Sequence, residues 1–105
     1  MNIELIRAKA RAHDYRLSAH AEEECEKDGI ERSEIHTVLL TGDILEQYGE
    51  RKDDRGDSCL MLGYDDDRRA IHVVMAYYQD TDLLIVTAYI PSLPKWLDDR
   101  TRRTQ

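Results

Sequence analysis

The sequence predicts an α+β fold in which two or three N-terminal helices pack on a four-stranded curved antiparallel sheet. Apolar residues recur at helical spacing in the first third of the chain. From residue 44 onward they form short runs that are separated by turn residues. A length of 105 residues is enough for one modest core, so residues 1–105 are expected to form a single domain.

The helices are predicted from apolar spacing and from capping residues. The first covers residues 3–10 and ends at a break over 13–15. The second covers residues 18–28, where the Ser18 hydroxyl can accept a free backbone N–H and Gly29 allows a left-handed stop.

The third helix is predicted from an apolar stripe over residues 35–39 that ends at Gly42. Ser33 is expected to be its N-cap. These helices are expected to cover one face of the sheet, since a bare meander buries too little apolar surface.

The rest of the chain predicts consecutive strands over residues 44–48, 58–64, 70–78 and 83–90. Their connections are a polar loop over 49–57, an acidic turn over 65–67 and a turn over 79–82. Such short connections join antiparallel neighbours. Pro91 ends the sheet, and a short helical turn is expected over 94–97.

The charge distribution limits the classes of partner. A net charge of −7 counts against a strong nonspecific nucleic-acid binder. The last fifteen residues, however, carry four basic side chains against two aspartates. This basic tail could contact phosphates or could neutralise the acidic body.

Localisation and metal content are predicted from what the sequence lacks. It has no apolar run long enough to span a bilayer and no leader pattern, which predicts a cytoplasmic protein with no membrane contact. Cys25 and Cys59 lack Cys-x-x-Cys spacing and are expected to be reduced, partly buried thiols. His20 and Glu24 share a helical face, but two ligands do not make a site, so no metal or cofactor is expected.

Histidine, threonine and tyrosine are the candidates for chemistry. His20 falls in the first turn of the second helix, where it is either a structural neighbour of the cap or a poised acid/base. His72 is a polar residue in the third strand, and Thr87 and Tyr89 share a face of the fourth with Leu83 and Ile85. The three polar side chains would gather around one cleft only in a suitable strand register.

This set of side chains suits RNA phosphodiester cleavage without a metal. His20 or His72 would exchange protons with the 2′-hydroxyl and the leaving oxygen, and Arg102 or Arg103 would hold the phosphate. The same set also arises often by chance, so the pattern alone leaves open whether the chain is an enzyme.

The order of several motifs adds a resemblance to a known family. They lie at residues 18–21, 28–30, 41–43, 60–63, 71–74, 85–91, 95–96 and 102–103. In this order they resemble a bacterial family of small domains of unknown function, similar in layout to toxins of the BrnT and RelE types. The resemblance covers about residues 15–103, which is nearly the whole chain.

The resemblance implies a RelE-like ribonuclease fold and a toxin that pairs with a small antitoxin, of the zinc-finger kind in some cases. It places His20, His72, Tyr89 and Arg102 as catalytic residues. It also places Thr87, Lys95 and Arg103 as contacts to an RNA or ribosomal substrate. Toxins of the RelE type are usually basic, and this acidic chain departs from that pattern.

Two functional hypotheses follow. The first is a metal-independent endoribonuclease of a toxin–antitoxin pair, which requires His20, His72 and an arginine to converge on one open cleft. The second is a noncatalytic protein-binding module, an inactive relative that acts through its cleft or its basic C-terminal tail. Exposed apolar surface beside a sheet edge would also favour a homodimer.

Overall fold

A computed structural model describes residues 1–50, 57–78 and 82–103 of the chain. Within these residues the fold is α+β, as predicted, with three helices and one five-stranded open sheet. The elements are α1 (Ile3–Arg11), β1 (Arg16–Leu17), α2 (Ala19–Asp28), α3 (Arg32–Thr41), β2 (Asp43–Glu50), β3 (Asp57–Tyr64), β4 (Ala70–Tyr78) and β5 (Asp82–Tyr89). Residues 51–56 of the predicted loop and 79–81 of the predicted turn lie outside the described residues.

The ends of α2 follow the sequence prediction. The Ser18 hydroxyl accepts a hydrogen bond from the backbone N–H of Ala21 at 3.0 Å and donates one to the Val86 carbonyl at 2.9 Å. Gly29 ends the helix with a left-handed backbone at φ +66°. The cap of α2 therefore also fixes the helix to β5.

The predicted start of α3 was two residues too late. The helix begins at Arg32, Glu31 is its N-cap, and Ser33 lies inside the first turn. The backbone N–H of Glu31 donates to the Glu34 carboxylate at 2.8 Å, which satisfies a donor at the helix start. Glu31 and Glu34 therefore cap the start of α3, where Ser33 was expected to be the cap.

The sheet has the strand order β1-β5-β4-β3-β2 and is mixed, which corrects the predicted four-stranded antiparallel sheet. Strands β2 to β5 form the expected antiparallel meander, and β1 adds to β5 in parallel, with Arg16 opposite Leu84. The sequence did not reveal β1 because two residues are too few to show an alternating pattern.

The main core lies between the helices and one face of the sheet. Strand β4 contributes Ile71, Val73 and Met75 to it, and the helices contribute residues such as Ile6, Cys25 and Leu39. Cys25 and Cys59 are both free and buried, and burial raises the pKa of the Cys59 thiol to about 11. No helix among the described residues is long and apolar enough to cross a membrane.

A register shift in β5 changes which side chains face this core. The pairing of β4 with β5 slips between Val74 and Met75, so that Leu83, Ile85 and then Ala88 are buried in the core. Thr87 and Tyr89 therefore lie on the opposite face from Ile85. The predicted shared face of these strand residues was wrong at this point, because strict alternation does not anticipate a bulge.

Residues 91–103, called here the C-terminal segment, cover part of the sheet face that points away from the helices. The Ile90 N–H just before it donates to the Asp28 carboxylate at 3.0 Å. Trp96 bridges to Arg102, so the segment folds back on itself. Only 2% of Trp96 is exposed, and this side chain packs on the sheet as a second, smaller core.

Candidate functional site

His72 is the buried centre of the C-terminal site. Its side chain is inaccessible to solvent, and its Nε2 lies 2.7 Å from the Asp99 carbonyl oxygen. Burial lowers the pKa of His72, which favours the neutral ring. Since a carbonyl oxygen only accepts, Nε2–H is the donor, and Nδ1 is left to accept from the Tyr89 hydroxyl at 3.3 Å.

Tyr89 is half-buried and lies between His72 and the protein surface. The two residues are directly opposite each other in β4 and β5. Burial raises the pKa of Tyr89, so its hydroxyl keeps its proton at neutral pH. Thr87, opposite Val74 in the same strand pair, presents its side chain on the same face.

Trp96 connects His72 with Arg102. The indole meets the imidazole edge to face, with 4.4 Å between ring centroids and an interplanar angle of 88°. The guanidinium of Arg102 lies over the indole, with its Cζ 4.6 Å from the ring centroid. The C-terminal segment is thereby held on the sheet by stacked rings and a cation.

Glu46 on β2 fixes the guanidinium of Arg102. Its carboxylate accepts two hydrogen bonds from Arg102, at 2.7 and 3.1 Å, and one from the Tyr48 hydroxyl at 2.8 Å. The hydrogen bond from Arg102 lowers the pKa of Glu46, and the same bond raises the pKa of Arg102. The charge that a phosphate would meet at Arg102 is thus already offset within the protein by Glu46.

Three cationic side chains surround a small cavity next to this ion pair. Lys95, Arg102 and Arg103, together with Pro94, line a volume of about 280 Å³. Lys95 and Arg103 are exposed, and the ammonium of Lys95 lies 5.9 Å from the centroid of the Tyr89 ring. This is the basic edge of an otherwise acidic chain.

The structure groups most of the predicted site residues and leaves one apart. Those that lie on or beside this face are His72, Thr87, Tyr89, Lys95, Arg102 and Arg103. His20 is exposed in the first turn of α2, a helix that packs on the core side of β5. Among the described residues it makes no hydrogen bond or ring contact with the other six, so the convergence of His20, His72 and an arginine that the ribonuclease hypothesis required is not found.

Sequence reasoning missed Glu46. A carboxylate inside a predicted strand is a signal in itself, because charged residues are unusual on a covered sheet face. Its role, however, depends on Arg102, which lies 56 residues away in the chain. Local patterns could not pair the two.

The arrangement can bind a phosphate and can present one tyrosine hydroxyl to it. His72 is too deeply buried to touch a substrate, and its Nδ1 contacts the Tyr89 hydroxyl. Among the described residues, no group of three or more His, Cys, Asp or Glu side chains could hold a metal ion.

Comparison with known protein families gives a match over most of the chain. The family described as "Domain of unknown function (DUF4258)" matches residues 17–90, from β1 to the end of β5. This description makes no link to BrnT or RelE toxins, and the matched range stops before Trp96 and Arg102. No curated protein and no solved structure matches the chain. Since the match spans well over half of its length, the chain belongs to the DUF4258 family of domains of unknown function.

Proposed function

We propose that this protein is a toxin-like, metal-independent endoribonuclease that binds and cleaves RNA on the face covered by the C-terminal segment. The observation that carries the proposal is that Lys95, Arg102 and Arg103 line one open cavity, with Tyr89 beside Lys95 and His72 behind Tyr89. The motif resemblance supports the same class of protein. Its partner would be a small antitoxin, of the zinc-finger kind that the resemblance implies.

In this proposal the exposed cations bind the RNA backbone. Lys95 and Arg103 are free to approach a phosphate, while Arg102 keeps its guanidinium in place through Glu46. The Tyr89 proton turns from Nδ1 of His72 to the leaving 5′-oxygen, and the raised pKa keeps it on the hydroxyl until the transition state. His72 is then a positioning residue that orients the Tyr89 hydroxyl.

The reaction balances without a metal. The 2′-oxygen attacks phosphorus and the P–O5′ bond breaks, which gives a 2′,3′-cyclic phosphate and a 5′-hydroxyl. The 2′-hydroxyl proton passes to water, and the 5′-oxygen takes the Tyr89 proton. Solvent then returns a proton to Tyr89.

Tight induction of the wild-type chain in bacteria, with total RNA examined, tests this proposal. We expect growth arrest and RNA cleavage, and loss of both in Tyr89→Phe, which removes one hydroxyl and keeps the ring. Lys95→Gln together with Arg103→Gln should weaken both effects, whereas Arg68→Gln, a cation on a distant turn, is the matched control. Unimpaired growth with intact RNA, in a host shown to lack an antitoxin, would contradict the proposal.

The variant His20→Asn tests which face of the molecule carries the proposed reaction. On the geometry proposed here the cleavage pattern does not depend on His20, which lies on the core side of β5. Loss of cleavage in folded His20→Asn would move the reaction to the start of α2.

A noncatalytic protein-binding module is the second candidate. It is favoured by the internal hydrogen bonds of both His72 ring nitrogens and by the pairing of Arg102 with Glu46. A surface of this kind offers exposed Leu93 and Leu97 beside Lys95 for contact with a partner. Arrest that persists in Tyr89→Phe, without RNA cleavage, would favour this function over the enzyme.

A further inference from the structure

A second cluster of polar side chains lies where the end of α1 meets α3. A cavity of about 530 Å³ opens there, which is within the size range of small-molecule sites. His13, Tyr15, Arg32, Ser33 and His36 contribute to its lining, together with Leu17 and Thr37. None of the residues of the C-terminal site lines this cavity, which is called here the His13 pocket.

Two imidazole rings stack against each other in the His13 pocket. His13 and His36 are parallel to within 1°, with 4.5 Å between ring centroids. The Tyr15 hydroxyl lies 2.7 Å from Nδ1 of His36. Burial raises the pKa of Tyr15, so this hydroxyl keeps its proton and can donate it to Nδ1; with that donation the ring proton of His36 is on Nε2.

The histidine rings of this cluster have nitrogens without a partner in the part of the chain that the structure describes. Nε2 of His36 and both ring nitrogens of His13 have no hydrogen-bond partner among the described residues. His13 also has a left-handed backbone at φ 53°, a conformation that favours glycine or asparagine. The His13 ring therefore lies at a backbone position where a smaller residue would be less strained.

The charge of the His13 pocket differs from that of the whole chain. The chain carries a net charge of −7, yet none of the described residues that line this cavity has a carboxylate. Arg32 pairs with Glu22 outside the lining, and its guanidinium has further donors to offer. Imidazole N–H, hydroxyl and guanidinium groups together are suited to an oxyanion that accepts several hydrogen bonds, and a phosphate has more acceptor oxygens than a carboxylate.

We propose that the His13 pocket binds the phosphate group of a small phosphorylated ligand. His13 and His36 donate from their ring nitrogens, Ser33 from its hydroxyl and Arg32 from its guanidinium. Tyr15 is a positioning residue, since it orients His36 so that Nε2–H points at the ligand. The proposal is independent of RNA cleavage, because the two sites share no residue.

NMR observation of the imidazole nitrogens tests the proposal. Inorganic phosphate at millimolar concentration is expected to shift the ring signals of His13 and His36 together. A nucleoside monophosphate should do the same, and the unphosphorylated nucleoside should not. Tighter binding of the nucleotide than of phosphate would identify a nucleotide ligand, and equal binding would identify the phosphate alone; both support the site. Ring signals that ignore phosphate, or respond equally to the bare nucleoside, would overturn it.

Matched variants separate the site from general charge effects. His13→Asn introduces a residue that tolerates the left-handed backbone, and His36→Gln replaces the ring N–H by a side-chain amide. Each variant should weaken phosphate binding about tenfold. Tyr15→Phe should weaken it less. Arg68→Asn is the control, because Arg68 is an exposed cation at the other left-handed non-glycine position among the described residues, φ 64°. Backbone amide spectra verify that each variant folds, and an equal loss of affinity in the control would overturn the proposal.

Discussion

Gly63 lies where β3 comes closest to α3. A Cβ atom built at this position would lie 2.6 Å from Cγ2 of Val38, well inside van der Waals contact. We therefore expect Gly63→Ala to lower the free energy of unfolding by about 1–3 kcal/mol, although alanine is ordinarily the better strand residue. Urea denaturation measures this cost.

Val38→Ala provides the control for this contact. It removes the methyl groups that a residue at position 63 would meet. In the Val38→Ala background, Gly63→Ala should cost less, with a coupling of about 1 kcal/mol between the two changes. Equal costs in both backgrounds would show that the strand and helix are not in this close contact.

His72 links stability to pH at the scale of one residue. Burial lowers its pKa below the ordinary value of 6.5, so the unfolded chain binds a proton here more readily than the folded chain. The free energy of unfolding should therefore rise with pH between the lowered pKa of the folded state and about 6.5. The stability that the neutral ring contributes is lost as the pH falls below about 6.5.

His72→Gln tests this linkage, since glutamine does not titrate. We expect the variant to be less stable at pH 7, because it loses the fit to Asp99 and Trp96. We also expect its unfolding free energy to vary less between about pH 7 and pH 5 than that of the wild type. Parallel pH profiles for the two proteins would indicate that other groups cause the acid sensitivity.

At the scale of an element, Trp96 determines whether the C-terminal segment stays on the sheet. Trp96 is 2% exposed, whereas its neighbour Leu97 is 56% exposed. Trp96→Ala should destabilise the fold by about 3–5 kcal/mol through the cavity it leaves, and Leu97→Ala by less than about 0.5 kcal/mol. Urea denaturation followed by far-UV circular dichroism measures both. Equally small effects would mean that the segment contributes little to the fold.

The C-terminal segment also explains why the site could be predicted only in part. A histidine and a tyrosine in neighbouring strands were visible as candidates, and strand pairing places His72 opposite Tyr89. The stacking of Trp96 on His72 and the contact of Arg102 with Glu46 join distant parts of the chain. Neither contact follows from the spacing of nearby residues.

At the scale of the whole molecule, charge sets how strongly RNA can be held. The chain is acidic overall, and the proposed site exposes Lys95 and Arg103 while Arg102 is paired with Glu46. Two or three phosphate contacts to single-stranded RNA predict a slope of about −1.4 to −2 for log K against log salt concentration. Fluorescence anisotropy at several salt concentrations measures this slope.

Lys95→Gln together with Arg103→Gln should flatten the salt dependence, and Arg68→Gln should leave it unchanged. A slope in the wild type that is much steeper than about −2 would indicate that RNA contacts further cations elsewhere on the molecule. An unchanged slope in the double variant would place binding away from the C-terminal segment.

Local sequence patterns were enough to predict the fold class, the order of the main elements and most of the core-facing residues, because these depend on capping and on short apolar periods. Ser18 and Gly29 are examples, since each acts on its own helix end. The fifth strand, the bulge that turns Tyr89 toward His72 and the separation of His20 from that face became known from the folded structure. These features depend on strand register and on contacts between distant residues, for which a periodic pattern carries no signal.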